Sequence, residues 1–278
     1  MKFTFGICTT EGQEQKIANF INSIQKNSIP QENYEIVIVG NIKKEYFKND
    51  NIKIILFDEN LKNGWITKKK NLIADHAKFN NIVFLHDYLI LEENWYQSMC
   101  EFGNDWQVLL TKVFNYEGQR FRDWTLLGNG RKNSKQIKIK NQEINCNPYN
   151  PFIEVHEPNS NALLPYDEKR FNNWIYINGS YWIAKKDFMI ENPLNEDLCW
   201  GESEDIEWSI RIREKTKVQI NANTSVIINK PGKIPIYSEC CEKYLNDMYF
   251  KIFNYYGTLP NQDVSLEASF SEQLKKIL

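Results

Sequence analysis

Residues 81–91 read Asn81-Ile82-Val83-Phe84-Leu85-His86-Asp87-Tyr88-Leu89-Ile90-Leu91, an apolar run of strand character with a histidine and an aspartate in its middle. A short run this rich in branched apolar residues is expected as a strand buried on both faces of a sheet. Burying Asp87 without a partner is costly, so the acid needs either a compensating group or a place at a strand tip. Which of these holds depends on the kind of sheet to which the run belongs.

The segments before it repeat one pattern. FTFGICTT (3–10), YEIVIVGN (34–41) and IKIILFDEN (52–60) are further strand runs ending in small or polar residues. Between the first two, Gln13 to Lys26 carries Ile17, Phe20, Ile21 and Ile24 on one helix face, and after the third, Thr67 to Lys78 reads as a second helix with Ile73, Ala74 and Ala77 apolar. Strand-helix-strand-strand-helix-strand with short links predicts an α/β fold, a mostly parallel central sheet flanked by helices.

Beyond residue 91 the pattern is less regular. WQVLLTKVFN (106–115) reads as a strand, and 128–150 is polar and turn-rich, as a loop or small hairpin would be. NWIYINGSYWIAKKDF (173–188) returns to a core pattern, with Gly179 and Ser180 interrupting an aromatic strand; such a glycine marks a bulge or a close approach. In WGESEDIEWSIRIREKT (200–216), Trp208, Ile210 and Ile212 alternate like a strand, whereas Ile206 and Ile210 share a helix face. The carboxylates at its start favour a helix N-terminus, which the dipole stabilises. Residues 217–230 read as a strand, and the tail from Ser238, with Tyr244, Leu245, Met248, Phe250, Ile252 and Phe253, as a helix packed on the core, the alternative being a membrane or partner face. The expected division is one domain over 1–235, with halves at about 1–105 and 106–235, and a helical extension over 236–278.

Composition narrows the classes. A chain of 278 residues with net charge −2 has no global basic field for nucleic acid. Its six cysteines form no C-x-x-C pair, so reduced thiols in a cytoplasmic protein are the simplest reading. No apolar run approaches the roughly 18 residues of a membrane span, which points to a soluble protein.

Ligands of open α/β sheets bind beyond the carboxyl ends of the strands. Four such ends are polar here: Thr9-Thr10-Glu11, Gly40-Asn41, Asp58-Glu59-Asn60 and His86-Asp87-Tyr88. Neither G-x-G-x-x-G after the first strand nor G-x-x-x-x-G-K-[ST] occurs, so phosphate recognition through a carboxylate-held divalent cation is the expectation. Asp87 is the candidate ligand, and His86 beside it suits Mn2+ better than Mg2+. The structural alternative is that Asp87 caps the following turn.

The order of these features resembles the GT-A glycosyltransferases, in particular the inverting, nucleotide-sugar-dependent, family 2-like branch. The first strand, ending in Thr9-Thr10, is similar to the strand whose tip touches the nucleotide base. NGWITKKKNLIADHA (63–77) resembles the glycine-then-Lys-Asn helix, here Gly64 and Lys70-Asn71; VFLHDYLILEENW (83–95) resembles the D-x-D strand, and YINGSYWIAKKDF (176–188) the strand lining the acceptor region. WGESEDIEWSIRIRE (200–214) is similar to a galactosyltransferase-like W-G-x-x-E-D region. The resemblance spans about residues 3–230 and departs at D-x-D, which reads His86-Asp87-Tyr88 and keeps one carboxylate.

The resemblance implies transfer of a sugar from a nucleotide diphosphate sugar, UDP-linked, to a hydroxyl of a glycan or lipid-linked acceptor, as in polysaccharide biosynthesis. Asp205 would be the general base, and Glu204 would bind acceptor hydroxyls or orient the base; Glu202 and Glu207 are the neighbours expected to raise the base's pKa. Donor contacts fall on Thr9, Thr10, Glu11, Asn41, Lys70, Asn71, His86 and Asp87. A divalent metal would sit on Asp87, completed by diphosphate oxygens or by His156. Trp182, Trp200 and Gly201 are the acceptor candidates, each tryptophan being equally an ordinary core residue. Arg122 and Asp123 in RFRDW (120–124) would line the pocket. A cytoplasmic location with peripheral contact at the inner face of a membrane fits this reading. A nucleotidyltransferase, and a non-catalytic nucleotide- or glycan-binding protein of the same fold, stay open.

Overall fold

The chain opens as its periodicities predict: β1 (Phe3–Cys8), α1 (Glu14–Lys26), β2 (Tyr34–Val39), β3 (Ile52–Ile55), α2 (Ile66–His76) and β4 (Asn81–His86). There follow β5 (Leu89–Leu91), α3 (Trp95–Phe102), β6 (Val108–Asn115), β7 (Thr125–Leu126), β8 (Gln136–Ile139), β9 (Gln142–Asn145), β10 (Ala162–Leu163), β11 (Ile175–Tyr176), β12 (Tyr181–Lys185), α4 (Lys186–Glu191), α5 (Glu204–Ile212), β13 (Val218–Ile228) and β14 (Ser238–Glu239). The computed structural model describes residues 1–47, 49–126, 136–139, 142–145, 162–169, 171, 175–233 and 238–239. Among them no helix is long and apolar enough to cross a membrane.

The main sheet has the order β3-β2-β1-β4-β12-β6-β13-β5. The first four strands are parallel, β12 is antiparallel to both β4 and β6, and β13 is parallel to β6. Six of the eight strands therefore run in one direction, and only β12 and the edge strand β5 oppose them. The carboxyl ends of β1, β2, β3, β4, β6 and β13 share one edge of the sheet. Since β12 runs the other way, the turn that precedes it, Asn178 to Ser180, reaches the same edge. A second sheet of order β11-β7-β10-β14 and the β8-β9 hairpin complete the strands.

Alternation along the strands builds a core on each face. Phe3, Phe5 and Ile7 of β1, Val83 and Leu85 of β4, and Tyr181 and Ile183 of β12 face α1 and α3, against Ile17, Phe20, Trp95 and Met99. Ile82 and Phe84, with Trp182 and Ala184, face α2, α4 and α5, against Ile73, Phe188, Trp208 and Ile212.

Four expectations need correction. The apolar run 81–91 is two strands, because the chain turns at Asp87-Tyr88 and β5 pairs with the far end of β13. The run 173–188 is strand only in parts and becomes helical at Lys186. The strand expected over 52–60 stops at Ile55. Ser238–Glu239, expected as the start of a helix, pairs as a strand with Ala162–Leu163, and the rest of the expected tail helix lies outside the described residues. The short helices α3 and α4 and the second sheet had no counterpart in the sequence reading.

Gly6 sits where α2 lies closest to β1. A Cβ there would stand 2.2 Å from Cγ2 of the buried Ile73. Gly6→Ala is therefore expected to destabilise the fold by about 1–3 kcal/mol through overpacking. Urea unfolding would show it as a lower midpoint at unchanged slope.

Candidate functional site

The tips of β1 and β4 lie side by side, with Cys8 in register with His86. One residue further on, the Thr9 hydroxyl donates to Asp87 Oδ2 at 2.8 Å. Asp87 is 8 % exposed, and its carboxyl is held above the usual range mainly by burial, against the opposing pull of the Thr9 hydrogen bond and of Lys16, Lys230 and Lys69. The acid in the apolar run is thus at a strand tip and also has a partner. The Thr9 carbonyl accepts from Lys69 Nζ at 2.8 Å, and Lys69 is ion-paired with Glu59. Thr10, Glu11 and Asn41 stand exposed along the same edge.

His86 is tied to the turn before β12, its backbone N–H donating to the Ser180 carbonyl at 3.1 Å. Its Nδ1 lies 3.0 Å from the Tyr88 hydroxyl, whereas its Nε2 is buried without a hydrogen-bond partner. Burial first, then the charges of Lys70, Lys233, Lys69 and Lys230, push the imidazole down to about 3. His86 is therefore neutral at physiological pH.

Across the turn stands the acidic cluster. α5 starts at Glu204, after Ser203 in the left-handed region at φ 65°. Asp205 Oδ2 accepts the Gly179 N–H at 3.1 Å, and Oδ1 accepts the Ile206 N–H at 2.9 Å. The Gly179 carbonyl accepts from Lys70 Nζ at 2.7 Å, so one peptide group links the buried ammonium of α2 to the aspartate of α5. The close approach that Gly179 signals in the sequence is that of Asp205, since a Cβ there would lie 2.9 Å from Oδ2. Ser209 completes the clasp, donating to the Asp205 carbonyl at 2.6 Å and accepting the Ile177 N–H at 3.0 Å.

The carboxyl lifted in this cluster is that of Glu204, 6 % exposed and pushed up to about 7 by burial and then by Asp205, with Lys70 opposing. The expectation that Glu202 and Glu207 act as like-charge neighbours is corrected here. Glu207 is ion-paired with Arg211 at 2.7 Å, and Glu202 accepts the Cys199 N–H at 2.7 Å.

Three expected contact residues are not available to a ligand. Trp182 is 0 % exposed, stacked on Phe84 at 4.4 Å and packed on Trp208 at 4.5 Å, so it offers no face to a sugar. Asn71 is buried and binds Leu194 at both ends of its amide, at 3.0 and 2.9 Å, and Glu196 at 3.0 Å, which makes it a brace for that loop. Asp123 likewise is buried between Arg120, Tyr166 and two backbone N–H groups. Arg122 contributes its carbonyl, which accepts from Asn178 Nδ2 at 2.8 Å. Trp200 is 67 % exposed beside Gly201, its backbone N–H bonded to the Gly64 carbonyl at 2.8 Å. His156 lies outside the described residues.

Lys69, Lys230 and Lys233 are residues of this edge that were not among the expected site residues. Lys230 Nζ lies 5.3 Å from the Tyr88 ring centroid, and the Asn229 N–H donates to the Tyr88 carbonyl at 2.8 Å. The signal was present in NKPGK (229–233), two lysines around a Pro-Gly turn at the end of a strand run.

The residues at the altered D-x-D position do not fit a divalent cation. Asp87 is the lone carboxylate of His86-Asp87-Tyr88, one of its oxygens is engaged by Thr9, and the positive charges of Lys16, Lys230 and Lys69 already act on it. No group of three His, Cys, Asp or Glu side chains is assembled for a metal among the described residues.

No family model matches the sequence, and no curated protein matches it. Solved glycosyltransferases do match the structure. They include S. aureus TarS residues 1–349 in complex with UDP-GlcNAc, at TM-score 0.54 and 15 % identity over 91 % of this chain and 67 % of that one. TarS 1–349 without that ligand matches at TM-score 0.50 and 15 % identity, over 91 % and 66 %. GalNAc-T7 with UDP, GalNAc and Mn2+ matches at TM-score 0.52 and 16 % identity, over 99 % of this chain and 54 % of that one. The chain thus spans about two thirds or less of the length of these proteins. The fold is that of the GT-A glycosyltransferases, as the motif order implied.

The raised Glu204 carboxyl has a consequence for stability. Its folded value of about 7 exceeds the ordinary 4.5, so between those values the folded state holds more protons and stability falls as pH rises. Glu204→Gln is expected to remove this fall and to exceed the parent's stability at pH 8 by about 1–3 kcal/mol. Chemical denaturation at pH 4.5 and pH 8 measures it, and an unchanged pH dependence in the variant would refute the assignment to Glu204.

Proposed function

We propose that the chain is an inverting glycosyltransferase that moves a sugar from a nucleoside diphosphate sugar, UDP-linked, to a hydroxyl of a glycan or lipid-linked acceptor. The observation that carries this reading is Asp205, fixed by the Gly179 N–H at the same sheet edge as the Thr9 and Asp87 tips, in a fold shared with proteins solved with UDP-GlcNAc and with UDP and GalNAc. The cytoplasmic setting, peripheral membrane contact and division into a donor half (about 1–105) and an acceptor half (about 106–235) belong to the same proposal.

In this mechanism the acceptor oxygen attacks the anomeric carbon opposite the diphosphate. The bond from that carbon to the diphosphate oxygen breaks, and its electron pair leaves with the nucleoside diphosphate. The proton of the acceptor hydroxyl passes to an Asp205 oxygen as the new bond forms. Two N–H donors, from Gly179 and Ile206, keep that carboxylate in one orientation, so little reorganisation is needed at the moment of transfer. Lys70 positions the Gly179 peptide that holds the base. Thr10, Glu11 and Asn41 line the nucleotide side, and Trp200 with Gly201 offers an exposed aromatic face for an acceptor sugar.

A second reading exchanges the two acids, because a carboxyl lifted to about 7 is well matched to proton abstraction near neutrality. Paired variants separate the roles. Asp205→Asn is expected to lower kcat by about 10²–10⁴-fold. Nucleotide affinity should persist in that variant, while Glu204→Gln should chiefly raise KM for the acceptor. The reverse pattern assigns the base to Glu204.

A thermal-shift panel of nucleotide sugars tests the class itself. At about 100 times Kd a true donor adds about 2.7 kcal/mol of apparent stability. No shift with any nucleoside diphosphate or its sugars would overturn the proposal. Release of nucleoside diphosphate in an acceptor screen distinguishes a transferase from a non-catalytic binder of the same fold.

A further inference from the structure

The misfit between the altered D-x-D position and a cation raises the question of what balances the donor's diphosphate. The loop after β13 supplies an answer. It is pinned on both sides: Ile228 is in register with Leu89, the Asn229 N–H donates to the Tyr88 carbonyl at 2.8 Å, and Asn115 Nδ2 donates to the Lys233 carbonyl at 3.2 Å. Between these anchors the Lys233 N–H donates to the Lys230 carbonyl at 3.3 Å, and Gly232 has φ +79°. Pro231 followed by a positive-φ glycine makes this a type II turn, which brings its first and last Cα atoms within about 7 Å. Lys230 and Lys233 therefore rise from one rigid turn as a pair of ammonium groups.

Neither lysine has an ion-pair partner among the described residues. The Lys233 ammonium is depressed by burial, and further by the like charges of Lys230 and Arg122. On the facing strand tip the field of both lysines reaches His86, an imidazole already neutral. Like charges gathered at the carboxyl edge of a sheet, outnumbering the one Asp87 carboxyl on which Lys230 acts and without a salt bridge among the described residues, form a site for a multiply charged anion.

We propose that Lys230 and Lys233 bind the donor diphosphate in the place a divalent cation would hold, so that nucleotide-sugar binding by this chain needs no metal. The inference rests on the nucleotide-sugar reading above. Lysine serves such a role as a point charge, and two on one turn can reach both phosphoryl groups. As the glycosidic bond breaks, negative charge grows on the departing diphosphate, and ammonium groups already in place stabilise it without rearrangement. Asp87, whose carboxylate is engaged by Thr9, then orients the β1 tip.

Isothermal titration with UDP as the probe, on the full chain, in EDTA and in Mn2+, tests this. The parent is expected to bind in EDTA, with Mn2+ changing Kd by less than about threefold, whereas each of Lys230→Gln and Lys233→Gln weakens binding by about tenfold or more. The double Lys→Arg variant should restore much of the affinity, and Lys2→Gln/Lys26→Gln, which removes as much charge elsewhere, should leave it near the parent's. Thermal melts confirm that the turn variants are folded. Binding that appears only with Mn2+, or that survives both Lys→Gln changes, overturns the lysine site and leaves the glycosyltransferase reading standing. Absence of UDP binding by the parent in either buffer overturns both.

Discussion

Two residues, Asp87 and Tyr88, connect β4 to β5, and the shape of the sheet follows from that shortness. In the strand order β5 stands four positions from β4, which in a flat sheet would separate them by about 19 Å. The three Cα steps from His86 to Leu89 reach at most about 11 Å. The sheet must therefore curl until its β13 edge comes round to the tip of β4. Right-handed strand twist supplies part of that curl, and the register shift in β13 between Asn221 and Ser225 supplies a local bend. Closure then sets the loop after β13 beside Tyr88, where the Asn229 N–H meets the Tyr88 carbonyl.

The second organising contact is a peptide group. Gly179 receives the Lys70 ammonium on its carbonyl and gives its N–H to Asp205, so α2, the β12 turn and α5 meet at a residue with no side chain. A buried ammonium and two adjacent carboxyls would be unfavourable separately, and the arrangement lets each lower the cost of the other. It does so incompletely: Glu204 still carries a raised pKa after Lys70 has acted on it. An acid held above its ordinary pKa in this way lowers the stability of the fold once the pH rises past 4.5.

Much of the frame was legible because it is written in local periodicity. The period-2 runs of β1, β2 and β4 and the helical faces of α1 and α2 came through, as did the polar ends of the first strands. What did not come through depends on distant partners. The Thr9 hydroxyl that donates to Asp87 is 78 residues away, and the Leu194 backbone that claims Asn71 is 123 away. Trp182 stays open between core and acceptor in the sequence because an aromatic strand residue looks the same whether its face meets Phe84 or a sugar. The turn at Asp87-Tyr88 was hidden because Leu89-Ile90-Leu91 continues the apolar run. Other signals were present and unused: Glu207 and Arg211 stand at helical i,i+4 spacing, and NKPGK follows the rule of polar strand ends as plainly as Thr9-Thr10.

The charges along the sheet edge are ordered, and their order gives the site a direction. Lys230 and Lys233 lie toward His86 and Tyr88, while Glu204 and Asp205 lie toward the β12 turn; Lys70 stands between, since its charge acts on both His86 and Glu204. On the proposed reading, a donor has its most negative part at the diphosphate and its electrophilic carbon next to it, and the acceptor brings a hydroxyl that must lose a proton. Placing the diphosphate toward the carboxylates would oppose like charges in a partly dry environment, where such repulsion is strong. The reverse placement meets cations at the leaving group and an oriented base at the acceptor. On the proposed reading, the fixed field therefore favours the second placement, with the leaving diphosphate toward the lysines and the acceptor hydroxyl toward Asp205, the arrangement that the proposed inversion would use.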